Sequence, residues 1–429
     1  MAAPTYIPQV KAQYESLPYP SRDPEEERSK LFRTWLDELP MINHYCFRGT
    51  HTFRNGFRAL VAGGGTGDAT IFLAEQLRHT DAAIVHLDLS AASIDIARRR
   101  AQVRGLRNIQ WINDSLLNLP ALGLGQFDYV NCAGVLHHLE DPDAGLRALL
   151  AVTKPDGALG IMVYAKYGRA GVYQMQSLLR MLDEGGADAS EKVRIAREVL
   201  EFAPQSNWFL RTQDLHQDHK LGDAGLFDLL LHSQDRAYTV PELYEWFEDK
   251  HGLRLQLTDV GRGRSPYMPE LAAGPNRPQF LDTVARMPVR KQYAISELLR
   301  GDIITHSFFA TRSASTTAPY GDADYVPVLF HEPVTGPQLT ALIESNGNQP
   351  FVLNHVHTGV AARLDPGRYG KHVLAHLDGE RPFSDIFSRV RRDVSSAPSD
   401  QRLFADFRPL FDLLTAIERL LLRHRSVIG

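Results

Sequence analysis

Between Arg58 and Tyr164 the chain alternates short apolar runs with helical patterns, and this alternation leaves few folds open to it. The runs are RALVAG (58–63), AIVHLD (83–88), IQWIN (109–113), FDYVNC (127–132) and ALGIMVY (158–164), with helices expected near 67–78, 91–104 and 142–153. Runs this short and this apolar, separated by helices, predict βαβ units around a buried parallel sheet, an α/β fold. Ligands of such sheets sit at the carboxyl ends of the strands, where the strand order reverses.

The first run ends in a turn suited to that place. AGGGTGD puts Gly63, Gly64, Gly65 and Gly67 within five residues, directly before a helical pattern. A dinucleotide turn needs a third glycine in G-x-G-x-x-G, and counting from Gly63 that position is Asp68. A phosphate loop needs Lys followed by Ser or Thr, which is absent here. Asp68 would also repel a diphosphate at the helix start. A ligand without phosphates, carrying sulfonium and ammonium charges, suits the turn better. Asp88 ends the second run, where it can accept from both hydroxyls of a ribose or cap a helix. Asp114, after the third run, can accept from an adenine amino group.

With these residues in place, the stretch from about 58 to 164 resembles the class I S-adenosylmethionine-dependent methyltransferases. VAGGGTGDAT is similar to their glycine motif, HLDLS to their acidic second strand and NDS to their adenine loop, while FDYVNCAGVLHHLEDP and the later KPDGAL are similar to the fourth strand and the turn before the fifth. The resemblance implies a Rossmann-like, seven-stranded methyltransferase sheet and S-adenosyl-L-methionine as cofactor. Its implied contacts are Gly63, Gly65, Thr66, Gly67, Asp68, Asp88, Leu89, Asp114, Ser115 and Asn131. YESLPYPSRD (14–23) is similar to an N-terminal segment that precedes the domain in some bacterial members. One departure stands out. The family commonly carries Asp or Glu two residues before the first glycine, to hold the ammonium of the methionine moiety, and Val61 occupies that position here. Backbone carbonyls at Gly63 or Asn131 and the Asp68 carboxylate are the candidate replacements.

Methyl transfer from a sulfonium needs an aligned acceptor, and a base only if the acceptor is protonated. His137 and His138 follow the fourth strand and are the candidate bases, or else walls of the cofactor pocket. Tyr14, Tyr19, Tyr167, Arg169 and Tyr173 are the candidate acceptor-binding residues, suited to an anionic or aromatic group. His216, His219 and His232, with Asp214 and Asp218, are read as solvated side chains, and no metal is expected. The acceptor is expected to be a small molecule or a protein side chain, methylated on O or N. A nicotinamide-dependent oxidoreductase and a non-catalytic cofactor-binding regulator are the alternatives.

At 429 residues the chain suggests more than one core. The expected division is an N-terminal lid at 1–50, a methyltransferase domain at 51–313 with a helical insertion near 168–250, a linker at 314–327, and a small α+β or winged-helix-like domain at 328–429. LDGERPFSDIFSRVRRD (377–393) carries the winged-helix resemblance, with substrate docking or homodimer formation as its expected role. A net charge of −4 gives no reason to expect nucleic acid, as does NCAG (131–134) in place of the tetrad of amino-methylating nucleic-acid enzymes. Cys46 and Cys132 are far apart, so neither a disulfide framework nor a zinc site is expected. Without an apolar stretch of about 18 residues or a signal-like start, a cytoplasmic protein that crosses no membrane is expected.

Overall fold

The computed structural model describes residues 6–183, 188–331, 334–355, 359–396 and 398–427. It falls into two units, one of Met1–Asp37, Phe53–Leu243 and Gly301–Ser307, the other of Glu38–Thr52, Tyr244–Arg300 and Phe308–Gly429. The stretch 244–300, which the sequence places in the larger domain, clusters with the second unit. Periodicity reveals an element but not the core it joins.

In the first unit β1 (Arg58–Ala62), β2 (Ala83–Asp88), β3 (Ile109–Asn113), β4 (Phe127–Ala133) and β5 (Thr153–Ala165) lie in the parallel order β3-β2-β1-β4-β5. A short β6 (Ala237–Tyr238) pairs with the end of β5. Two further strands are β7 (Arg254–Thr258), which falls in the second unit, and β8 (Thr305–Thr311). Leu60, Val85, Val130 and Leu159 are buried in this sheet, as their continuous apolar runs require.

Helices Asp68–Gln76, Ala91–Arg104 and Pro142–Val152 connect the strands. Local chemistry sets their ends. The Ser90 side chain accepts from the Ser93 N–H, and Gly105 stops the same helix at φ 69°. Asp141 accepts from the Asp143 and Ala144 N–H groups, with Pro142 in the first turn. The insertion carries Ala170–Leu182 and Ala189–Phe202, packed through Val172, Met175 and Leu179 against Phe209 and Leu226. Thr239 and Glu242 bond reciprocally and start the helix at Val240.

The N-terminal segment is tied to the first unit by buried charge. Glu27 accepts from Arg100 Nε at 2.9 Å and Nη2 at 2.6 Å, and also from Arg104. The side chains of Glu27 and Arg100 are fully buried. Removing Glu27 would leave the buried Arg100 guanidinium with Asp68 as its remaining carboxylate and its Nε and Nη2 unmet, which costs more than the pair contributes.

The second unit holds an antiparallel pair of β9 (Tyr325–Leu329) with β12 (Leu420–His424), and a hairpin of β10 (Phe351–His355) with β11 (Val360–Leu364). Its helices include Phe383–Asp393 and Asp400–Ala416, which bring Phe383, Phe387, Phe404 and Phe407 into one aromatic core. In LDGER, Asp378 accepts from the Glu380 and Arg381 N–H groups and forms the turn before the first of these helices. No helix among the described residues is long and apolar enough to cross a membrane.

Glu27→Ala is expected to destabilise the protein by roughly 3 kcal/mol in urea unfolding and to expose the N-terminal segment to limited proteolysis. A loss below about 1 kcal/mol with unchanged proteolysis would show that the segment is held by other contacts.

Candidate functional site

A cavity of about 740 Å³ opens at the carboxyl ends of the parallel strands of the first unit. The glycine turn forms one wall. Gly65 has φ 52°, and a Cβ there would lie 2.8 Å from the Tyr19 carbonyl oxygen. A Cβ on Gly63, at φ 79°, would meet Val135 at 2.3 Å. Both positions therefore need glycine for conformation and for space. The Asp88 carboxylate closes the turn, Oδ2 accepting from the Gly65 N–H at 2.7 Å and Oδ1 from the Ser90 N–H at 2.8 Å. Burial pushes its carboxyl above the ordinary range, although the backbone bonds pull it down. Asp114 also lines the cavity, its Oδ1 accepting from the Ser115 N–H and the Asn118 amide.

Residues 14–22 lie against this turn. Thr66 Oγ1 donates to the Pro20 carbonyl, and Glu15 accepts from the Ala91 and Ala92 N–H groups at the start of a helix. Arg22 grips Asp68 with two bonds, and Arg100 Nη1 adds a third at 2.7 Å. Burial alone would raise the Asp68 carboxyl, but the two guanidiniums more than offset it and hold it below the ordinary range. Asp68 is thus already paired with two cations.

The far end of the cavity is acidic and aromatic. The Tyr14 hydroxyl donates to Asp228 Oδ1 at 2.9 Å, and the Tyr19 hydroxyl to Asp218 Oδ1 at 2.7 Å. Asp228 Oδ2 receives a long 3.5 Å bond from Tyr164. Burial pushes the Asp228 carboxyl up to about 6, against the lowering by Tyr14 and with a further rise from Asp218. The Arg169 guanidinium stacks 3.5 Å from the Tyr164 ring centroid and lies 3.9 Å from Asp235. His138 bonds the Gln234 carbonyl through Nδ1, and burial pushes its imidazole down to about 4. It is neutral at pH 7, with its Nε2 lone pair available.

Most residues expected at the site meet in this cavity. Gly63, Gly65, Asp68, Asp88, Leu89, Asp114, Ser115 and Asn131 line it, as do His138, Tyr14, Tyr19 and Arg169. Thr66 and Gly67 lie outside the lining and shape the turn. His137 is fully buried beneath the wall, stacked on Tyr164 at 3.8 Å, and burial holds it well below the ordinary imidazole range. Tyr167 is exposed, and Tyr173 also falls outside the lining. Sequence reasoning missed Asp228. Its signal was an acid inside the apolar run LFDLLL, where a buried carboxylate must have a partner.

Among the described residues, His138, Asp228 and His232 bring three potential metal ligand atoms within 4.8 Å of one another. The hydrogen bonds oppose that use of His232. Its Nδ1 accepts from the Gln234 N–H, so in the neutral ring Nε2 carries the proton and faces the Tyr14 hydroxyl at 3.3 Å. His216, His219 and His232, read from the sequence as solvated, are instead buried, and His216 bonds the Gly168 carbonyl and stacks on Phe209.

Comparison with known proteins agrees with this geometry. A methyltransferase domain model matches residues 60–159. An uncharacterized protein of Synechococcus is 32% identical over 318 residues, covering 73% of this chain and 74% of that protein. A ubiquinone biosynthesis O-methyltransferase of Escherichia coli is 25% identical over 190 residues, 42% of this chain and 77% of the relative. The structure of PKMT2 from Rickettsia typhi in complex with AdoHcy shares the fold, with a TM-score of 0.59 at 14% identity over 92% of this chain and 77% of that one. By its glycine turn, its strand order and these relatives, the chain belongs to the class I S-adenosylmethionine-dependent methyltransferases.

Proposed function

We propose that the protein methylates an amine, which enters the cavity as an ammonium and is received by Asp228 and Asp218. The observation that carries this reading is the pair of carboxylates, each bonded by a tyrosine, in the same cavity as the glycine turn. Carboxylates and aromatic rings together favour a cation. They disfavour an anionic acceptor, so Arg169 is read as a support for Tyr164 rather than as an anion seat.

The cavity fits the cofactor. The turn closes to glycine-only distances, and the lone pairs of Asp88 not used by Gly65 and Ser90 remain for ribose hydroxyls. Leu89, Asp114 and Ser115 are the adenine wall. When bound, S-adenosylmethionine supplies a methyl group on a positively charged sulfur. The protein's own task is to place the acceptor and free its lone pair. Asp228 Oδ1 is fixed by Tyr14, whereas among the described residues Oδ2 has only the long Tyr164 bond and is the atom placed to take the proton that an ammonium must shed. His138, with its lower basicity, is the weaker base of the two and serves as a wall of the acceptor end.

Incubation with methyl-labelled S-adenosylmethionine and cell lysate, followed by fragmentation of the labelled product, is expected to place the label on nitrogen. Label on oxygen or carbon would overturn the amine reading. Asp88→Ala is expected to weaken S-adenosylhomocysteine binding by about 1–3 kcal/mol in calorimetry. Unchanged affinity would remove the ribose assignment.

The raised Asp228 carboxyl predicts two pH effects. Acceptor KM should rise as pH falls through about 6, where Asp228 takes up a proton, and Asp228→Asn should abolish that limb. Because the folded value lies above the unfolded one, the carboxylate costs stability that is full above about pH 6 and absent below about 4. Asp228→Asn should therefore stabilise the fold at pH 8 by on the order of 2 kcal/mol while impairing turnover. A lower Tm for the variant at pH 8 would contradict this.

A further inference from the structure

Val61 leaves a gap in the cofactor site, since the family's usual acid for the methionine ammonium is missing there. This reasoning rests on the cavity being the cofactor site. Asp68 is a poor substitute because Arg22 and Arg100 already occupy its carboxylate with three bonds. The structure offers another acid, from a distant part of the sequence. Asp37 ends the short helical turn Trp35–Asp37 and is buried, with its backbone carbonyl held by Gln76. Its two carboxylate oxygens accept from Asn131 Nδ2 at 2.9 and 3.0 Å.

Asn131 sits on β4 directly opposite Val61 on β1, and both line the cavity. A carboxylate offers only acceptors, so the amide must turn its nitrogen toward Asp37. Its carbonyl oxygen is then the side-chain atom left for a ligand beside Val61. Thr34, three residues before Asp37, lines the same cavity, and its buried Oγ1 has no hydrogen-bond partner among the described residues. A buried polar atom of this kind calls for a polar ligand group.

We infer that Asp37, acting through the Asn131 amide, replaces the acid missing at Val61, and that Asn131 Oδ1 with Thr34 Oγ1 seats the ammonium end of the methionine moiety. Asp37 is a positioning residue. It fixes which end of the Asn131 amide faces the cavity, and its negative charge strengthens the carbonyl as an acceptor for a cation. The arrangement also makes the N-terminal segment part of the cofactor site.

The test uses two probes on the full chain, S-adenosylhomocysteine and 5′-methylthioadenosine, the second lacking the amino-acid end. Asp37→Leu is expected to bind S-adenosylhomocysteine roughly 10- to 100-fold more weakly than wild type, with methylthioadenosine affinity kept within about twofold. Asp37→Asn retains one acceptor for Asn131 without the charge, and its loss should be smaller but confined to the same probe. If Asp37→Leu does not fold, the Asn variant carries the comparison. Equal weakening of both probes would assign Asp37 a purely structural role and overturn the inference, as would unchanged S-adenosylhomocysteine binding in both variants. Wild-type protein that binds neither probe would instead refute the underlying cofactor reading.

Discussion

Arg100 is fully buried, and its charge has to be met inside the fold. Glu27 meets it from the N-terminal segment and Asp68 from the helix that follows the glycine turn. A further bond to the Thr66 carbonyl holds the turn itself. One guanidinium therefore joins the N-terminal segment and residues 66–68 to its own helix, and without Glu27 and Asp68 it would be a buried, unmet charge. The positions of Tyr14, Tyr19 and Thr34 at the cavity and of Asp37 against Asn131 follow from that anchorage, because all of them lie on the segment it ties down.

The acceptor end shows the opposite use of buried charge. Among the described residues, no cation pairs with Asp228. Burial pushes its carboxyl up to about 6, and the Tyr14 hydroxyl offsets that rise only in part. Near neutral pH such a group stands ready either to attract a cation or to take its proton, and the fold carries the energetic cost. The paired acids at Arg100 hold the structure together, whereas the acids at Asp218 and Asp228, bonded by tyrosines, are the ones proposed to receive a cationic acceptor. The second unit has its own aromatic core around Phe383 and Phe404.

Much of this was legible in the sequence. The strands of the sheet, the glycine turn and the acids at 88 and 114 all lie where local spacing puts them, since a βαβ unit fixes its loop to the end of its own strand. Residues brought in from elsewhere were harder to see. Asp37 touches Asn131 across 94 positions and Tyr14 touches Asp228 across 214, distances over which periodicity carries no information. Asp228 lies within an apolar helical run that reads as core, and so it is, apart from the one carboxylate. Between the two histidines spacing could not choose. A one-residue step around the short turn Leu136–His138 sends His138 to the cavity and His137 beneath it. The sequence marked the N-terminal segment as a separate piece but carried no sign of the bonds that Tyr14, Tyr19 and Asp37 make.

The central claim is that one cavity holds the methyl donor at the glycine turn and a cationic acceptor at Asp228. A crystal structure with S-adenosylhomocysteine tests it most directly. The account predicts the ribose hydroxyls on Asp88, the amino group at Asn131 and the open side of the sulfur facing Asp228 and His138. Electron density for the ligand outside this cavity, or a sulfur turned away from the acid pair, would contradict it.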